Sequence, residues 1–354
     1  MDVSNLLSEA VRQSSSDIYI IAGRPVTFKA HGQLISPYEG FLVPDTTAEL
    51  VRDIYKLAGD RNINLVMDGG DDDFSFALPG VSRFRVSAYK QRGSLAAVIR
   101  VVNFELPDPS AIGIPETVLK FANHTKGLVL VTGPAGSGKS TTLACIIDQI
   151  NKTRADHIIT LEDPLEYLHR HNKSIVSQRE IATDTESYVT ALRAALRQSP
   201  DVILLGEMRD HETITVAMTA AETGHLVIST LHTVGAANTI DRIVDAFPPN
   251  QQSQIRVQIS MVLQGVVSQQ LLPTTDNRIA PAFEIMLCNS AIRNMIRESK
   301  IHQMDTVIQS SAAEGMVMMD TSLLNLYRKG TISEHNVIIH SANPEQMAKK
   351  IKLL

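Results

Sequence analysis

"GLVLVTGPAGSGKSTTLACIIDQI", residues 127–150, decides how the rest of the chain is read. An apolar run leads into a glycine-rich turn, and the turn opens into a segment with helical apolar spacing. Residues 133–140 fit the pattern G-x-x-x-x-G-K-S. Glycine has no Cβ, so backbone N–H groups in such a turn can curl around phosphate oxygens. The Lys139 ammonium can reach the β- and γ-phosphates of a nucleotide, and the Ser140 hydroxyl can ligate Mg2+. A helix beginning near Lys139 adds its positive end to the same place. Gly133, Pro134, Ala135, Gly136, Ser137, Gly138, Lys139, Ser140 and Thr141 therefore form the candidate set for binding ATP.

Working outward, "HIITLED", "VILLGE" and "HLVISTLH" repeat the apolar-strand pattern with helical material between them. That alternation predicts an α/β domain built on a mostly parallel sheet with helices on both faces. Ligands bind such sheets at the carboxyl ends of the strands. "LEDPLEY", residues 161–167, places Glu162 and Asp163 at one strand end, with Glu166 a turn further on. "VILLGEMRD", residues 202–210, places Glu207 at another, after Gly206. Two carboxylates beside a phosphate loop divide between holding a metal and orienting a water, and residue type alone leaves the division open. His225 and His232 bracket a third strand. Seven residues of extended chain span about 23 Å, so the two cannot share one metal. From about 250 onward the pattern reads as mostly helical, with one more strand at "RIAPAFEIML".

The first 104 residues have a different pattern. Residues 4–14 read as a short amphipathic helix, and "DIYIIAG" and "VTFKAHGQL" as two strands around a Gly-Arg-Pro turn. "TTAELVRDIYKLAG" reads as a helix capped by Thr46 or Thr47 and stopped at Gly59. "DDDFSFALPG", "SRFRVSAYKQRG" and "SLAAVIRVV" read as a meander. The domains expected are a small α+β domain over 1–104, a proline-rich extended linker over 105–115, and the nucleotide-binding domain over 116–354.

At 354 residues the chain is too long for one ordinary core. A net charge of -5 argues against a wholly basic nucleic-acid binder. Two cysteines far apart, Cys145 and Cys288, exclude a cysteine zinc cluster and suit a reducing compartment. The opening residues lack the pattern of a signal peptide. The sequence holds no run of about 18 apolar residues, the length that spans a bilayer, so membrane attachment is expected through a partner.

Two stretches remain. "SRFRVSAYKQRG" carries Arg83 and Arg85 on one strand face and Arg92 past the strand end; read by itself it is a solvated strand face. "AIRNMIRESK", residues 291–300, is an amphipathic helix with Ile292, Met295 and Ile296 apolar and Arg293, Arg297 and Lys300 polar.

Taken together, these motifs resemble the secretion-type ATPases, and within them the PilT-like type IV pilus retraction motors, over nearly the whole chain. The loop at 133–141 resembles that family's Walker A, "LEDPLEY" its Asp box, "VILLGEMRD" its atypical Walker B and "AAETGHLVISTLHT" its His box. "AIRNMIRE" closely resembles the family's AIRNLIRE motif, with Met295 in place of a leucine. Extension motors and type II secretion ATPases usually carry a longer N-terminal region and a tetracysteine zinc insert, which this sequence does not show. The resemblance implies a PAS-like N-terminal domain and a RecA-like ATPase domain in a homohexameric ring. The implied activity is ATP hydrolysis with Mg2+ to drive pilus retraction. The implied location is the cytoplasmic face of the inner membrane, through the platform protein of the pilus base, with no nucleic acid involved. Pilus extension or secretion, and a RecA-like nucleic-acid motor, are the alternatives. Glu162 is expected to polarise the attacking water and Glu207 to contact Mg2+ through a water beside Ser140; the reverse division stays open. The His box adds His232 to the catalytic residues and His225 to the nucleotide contacts. A ring with nucleotide at its subunit junctions needs an arginine in trans, for which Arg83, Arg85 and Arg92 are candidates.

Overall fold

The computed structural model describes residues 2–30, 32–102, 106–276 and 278–353. The chain divides into two compact units. One is Met1–Glu105 with Glu166–Leu168, and the other is Leu106–Leu165 with His169–Leu354. The boundary expected at residues 104 and 105 lies outside the described residues.

The first unit is a six-stranded antiparallel sheet with helices packed on its core face. Its strands are β1 (Ser15–Ile20), β2 (Thr27–Ala30), β3 (Gln33–Ile35), β4 (Asp72–Leu78), β5 (Ser82–Gln91) and β6 (Ser94–Val102). Their spatial order is β3-β2-β1-β6-β5-β4. Alternation along β5 turns Phe84, Val86 and Ala88 into the core and leaves Arg83 and Arg85 on the other face. Leu6, Leu7 and Ala10 of the helix Val3–Arg12 meet them there, with Leu50, Val51 and Ile54 of the helix Pro44–Leu57. "VTFKAHGQL" is two strands rather than one, because the chain reverses between Ala30 and Gln33, which pair across the turn. Neither Thr46 nor Thr47 caps the second helix. Pro44 starts it after Val43, since proline is preset for a first helical position, and the Thr47 hydroxyl donates to the Pro44 carbonyl.

The second unit is a seven-stranded sheet ordered β13-β12-β7-β11-β10-β8-β9. Its strands are β7 (Gly127–Thr132), β8 (His157–Glu162), β9 (Ile175–Glu180), β10 (Val202–Leu205), β11 (Leu226–Leu231), β12 (Leu263–Pro273) and β13 (Ile279–Leu287). All neighbours run parallel except β13, which pairs antiparallel with β12. The region after 250 thus holds a long strand beside β7 that helical periodicity concealed. β9 also lay in a stretch without strand patterning.

Both faces of this sheet are covered. Leu128 and Leu130 of β7 join one core with the helices His211–Glu222, Ala236–Asp245 and Pro249–Val262. Val129 and Val131 join the other with the helix Lys139–Thr153. Each such buried aliphatic side chain contributes about 1.5–3 kcal/mol, which is why these strands read as continuous apolar runs. Residues 106–115, within the stretch 105–115 expected as an extended linker, hold a turn at 109–113. Their Ile114 is buried in the second core.

"AIRNMIRE" forms the helix Ser290–Arg297, capped by the Asn289 side chain, with Ile292 and Ile296 fully buried one turn apart. Its Arg293 has a structural task. The guanidinium donates to the carbonyls of Ser260 and Met261 at 2.6 and 3.1 Å. It thereby closes the C-terminal end of the helix Pro249–Val262, where carbonyls lack intrahelical partners and a cation is favoured.

In the first unit the Asp72 carboxylate, nearly buried, accepts a two-pronged bond from Arg61 at 2.8 and 2.9 Å and a third from the Tyr55 hydroxyl at 2.9 Å. The Arg61 hydrogen bond is the main reason its pKa lies below the usual carboxylate range. A carboxyl whose pKa is lower folded than unfolded stabilises the fold fully above the ordinary value. That contribution is lost as pH falls through and below it. Asp72→Asn should lower stability at pH 7 by about 1–3 kcal/mol. It should also flatten the acid side of the stability–pH curve, measured by urea unfolding between pH 7 and the onset of acid denaturation. An unchanged acid limb would refute the linkage.

Candidate nucleotide site

The parallel register assembles the site. Thr132 pairs with Leu231 and with Ser268, while Leu205 pairs with Leu161 and Ser229. The loop 133–138, Glu162, Gly206–Glu207 and His232 therefore all leave the sheet at one edge, the carboxyl end of the strands.

The loop follows β7 with Gly133, Gly136 and Gly138 at φ 141, 75 and 86°. Space is as limiting as backbone angle at two of them. A Cβ on Gly133 would lie 2.2 Å from the Gln269 carbonyl oxygen, and one on Gly138 would lie 2.8 Å from the Gln269 amide nitrogen. Gln269, on β12, is buried and accepts a 2.7 Å hydrogen bond from the Thr142 hydroxyl. It is the floor of the loop, and no sequence pattern pointed to it. Gly138 precedes the helix Lys139–Thr153, whose N-terminus takes no side-chain cap. An uncapped helix start directly behind a turn without side chains is a cradle for an anion.

Lys139 is nearly buried, and its ammonium donates to the carbonyls of Gly133 and Pro134, both at 2.9 Å. It is thus held at the mouth of the loop. The Ser137 hydroxyl oxygen is buried within the same turn. These residues fit a nucleotide's phosphates. Among the described residues no three His, Cys, Asp or Glu side chains form a metal cage. A magnesium ion carried on phosphates needs only one or two protein oxygens, and Ser140 and Glu207 supply oxygens of that kind.

Val202–Leu205 are four fully buried residues of a central strand. Gly206 is required by crowding, because a Cβ there would lie 2.7 Å from the Tyr188 phenol oxygen and 3.2 Å from the Leu161 carbonyl oxygen. Glu207, with its side chain 11% exposed, is paired with Arg209 at 2.6 Å and faces the His232 ring at 3.4 Å. Asp210 caps the helix His211–Glu222, accepting from the Thr213 N–H at 2.8 Å. The acid and its arginine thus sit between a strand end and a helix start, both firmly anchored.

Glu162 ends β8 and takes part in this edge, and Asp163 follows it. Tyr188, which sequence reasoning missed, has its hydroxyl beside Gly206; burial first, and the charges of Glu207, Asp163 and Glu162 next, push its pKa up. His225 does not join the site within the chain. It precedes Leu226 at the start of β11, the end opposite His232, and its ring nitrogen lies 2.9 Å from the Ala220 carbonyl. Within one chain the length of β11 separates it from the strand end that leads to His232.

Arg83, Arg85 and Arg92 belong to the first unit. Arg83 and Arg85 are half-buried on the outer face of β5. Arg92 and Gly93, at φ 50 and 79°, form a two-residue hairpin turn between the paired Gln91 and Ser94.

This fold and edge define a secretion-type ATPase: the chain belongs to the Type II/IV secretion system protein family, whose model matches residues 1–349. It is 43% identical over 345 residues to the type IV pilus retraction ATPase PilT of Pseudomonas aeruginosa, covering 98% of this chain and 99% of that one. It is 35% identical over 354 residues to the type IV pilus ATPase PilU of the same organism, covering 100% and 92%. The crystal structure of the pilus retraction motor PilT with bound ADP superposes with a TM-score of 0.89 at 43% identity, over 99% of both chains.

If Gln269 supports the loop as described, Gln269→Ala should weaken ADP binding about fivefold, the value of roughly one hydrogen bond. Calorimetric titration with ADP checks this; unchanged affinity would leave Gln269 a packing residue.

Proposed function

We infer that this chain is the ATP-hydrolysing motor of type IV pilus retraction. The observation that carries the reading is end-to-end similarity to a retraction ATPase in a chain whose phosphate loop and acidic strand ends share one sheet edge. The working form is a ring of six copies. It acts at the cytoplasmic face of the inner membrane on the platform protein of the pilus base. No described helix is long and apolar enough to cross a membrane.

In the reaction, Lys139 exchanges its loop carbonyls for phosphate oxygens and meets the charge that develops on the transferred group. Magnesium, when bound, neutralises phosphate charge. Ser140 would hold it directly, and Glu207, anchored by Arg209 and facing His232, would hold its hydration shell. Glu162 orients the attacking water. Little covalent work falls to the protein in phosphoryl transfer, so orientation and charge suffice.

Lys139→Ala should reduce turnover by about two orders of magnitude or more, and the two acids should separate in the same phosphate-release assay. Glu162→Gln should keep nucleotide binding and lose hydrolysis, whereas Glu207→Gln should also raise the magnesium concentration needed. Normal hydrolysis by Glu162→Gln, with Glu207→Gln inactive yet binding normally, would reverse the roles. Near wild-type turnover in Lys139→Ala would end the assignment.

The arginine of the first unit acts across the subunit junction, where its forked guanidinium matches phosphate oxygens better than lysine can. Mixing Arg92→Ala subunits with Lys139→Ala subunits, each inactive alone, should restore part of the hydrolysis, because some junctions then combine an intact arginine with an intact loop. Arg83 and Arg85 are tested in the same way. If all three tolerate alanine and no mixture recovers activity, their face of β5 is only a solvated surface.

A further inference from the structure

Tyr188 opens the helix Tyr188–Ala195, which the Ser187 hydroxyl caps by accepting from the Thr190 N–H at 3.2 Å. Ala191, Leu192 and Ala195 fix that helix in the core under β8 and β10, so the start of the helix has little freedom. The tyrosine ring packs against the same core. Its hydroxyl passes into the seam where β8 and β10 end. There the Gly206 N–H donates to the Leu161 carbonyl at 2.8 Å. A side chain on Gly206 would collide with the phenol oxygen at 2.7 Å and crowd the Leu161 carbonyl oxygen at 3.2 Å, and it would touch the Glu162 Cα at 3.5 Å.

A half-buried ring needs no hydroxyl to pack against the core, and phenylalanine would fill the same space. The hydroxyl also reaches a place crowded with acids. The carboxylates of Glu207, Asp163 and Glu162 act on it, and the guanidinium of Arg209 acts in the opposite sense. A lysine or arginine there would neutralise the acids. A neutral phenol can donate a hydrogen bond and leave their charge in place. Because burial and the acids favour the protonated phenol, it keeps its proton at working pH.

Resting on the roles given to Glu162 and Glu207 above, we propose that Tyr188 is a positioning residue for hydrolysis. Its hydroxyl, wedged over Gly206 between the ends of β8 and β10, holds the two glutamates at their working separation. The glycine of the Gly206–Glu207 pair is then half of a two-part device. It yields the space, and the tyrosine occupies it with a donor.

Steady-state ATP hydrolysis by Tyr188→Phe, which keeps the ring and removes the oxygen, tests this. Turnover should fall about tenfold while KM for ATP and the affinity for ADP stay within about twofold, the split expected when alignment rather than binding is lost. Gly206→Ala provides a second reading. In the wild-type background its new methyl group displaces the hydroxyl and should cost more turnover than the same change made in Tyr188→Phe, where the oxygen is already gone. Turnover of Tyr188→Phe within about twofold of wild type, a loss confined to KM, or equal Gly206→Ala losses in both backgrounds would each overturn the proposal. Glu162→Gln and Glu207→Gln are measured alongside. If both hydrolyse normally the site reading itself fails. If they are inactive and Tyr188→Phe is not impaired, only the positioning role fails.

Discussion

At the carboxyl edge of the second unit's sheet, two glycines let neighbouring atoms come closer than any side chain in their place would allow. The Gln269 carbonyl stands where a Cβ of Gly133 would be, and the Tyr188 oxygen stands where a Cβ of Gly206 would be. These two approaches make the site. The first lets the loop after β7 lie flat over β12, with the buried Lys139 ammonium at its mouth and an uncapped helix behind it. The second lets β10 end against β8, so that Glu207 and Glu162 leave the sheet side by side. A methyl group at either glycine would push apart the elements that carry the chemistry.

Register supports this edge from below. Parallel neighbours with matched ends bring the four segments of the site to one edge, and burial on both faces keeps the strands from sliding. The far side is tied in by another buried acid. Glu284, on β13, accepts from the N–H groups of Ala236 at 2.6 Å and Met319 at 3.3 Å. Burial raises its pKa, while those two bonds favour the ionised form. One carboxylate thus joins the helix start that follows the His232 loop to the start of the helix Met319–Arg328. Arg293 plays a comparable part at the end of the helix Pro249–Val262, so of the two arginines of "AIRNMIRE" only Arg297 is an exposed surface charge.

Local signals were legible where one segment carries the whole pattern. Strand, loop and helix at 127–150 are contiguous, and each step has its own residue signature, apolar run, glycines and helical spacing. The acids were legible as strand ends for the same reason. β12 was not, because Leu263–Pro273 mixes polar and apolar residues and follows a helix without a glycine or proline break. Its place beside β7 comes from pairing with a strand more than a hundred residues away. Thr46 and Thr47 misled because a capping residue was sought where Pro44 had already set the first helical angle.

The sequence by itself determined the class of chemistry: a phosphate loop, carboxylates on strand ends and the alternation of strand and helix follow from neighbouring residues and survive any packing. The tertiary structure alone decided who stands opposite whom. It placed Gln269 under the loop, Tyr188 over Gly206, Arg209 and His232 beside Glu207, and His225 at the wrong end of β11 to join them. Such contacts join residues far apart in the chain, and their distances depend on the register and packing of whole elements, which no short stretch of sequence encodes.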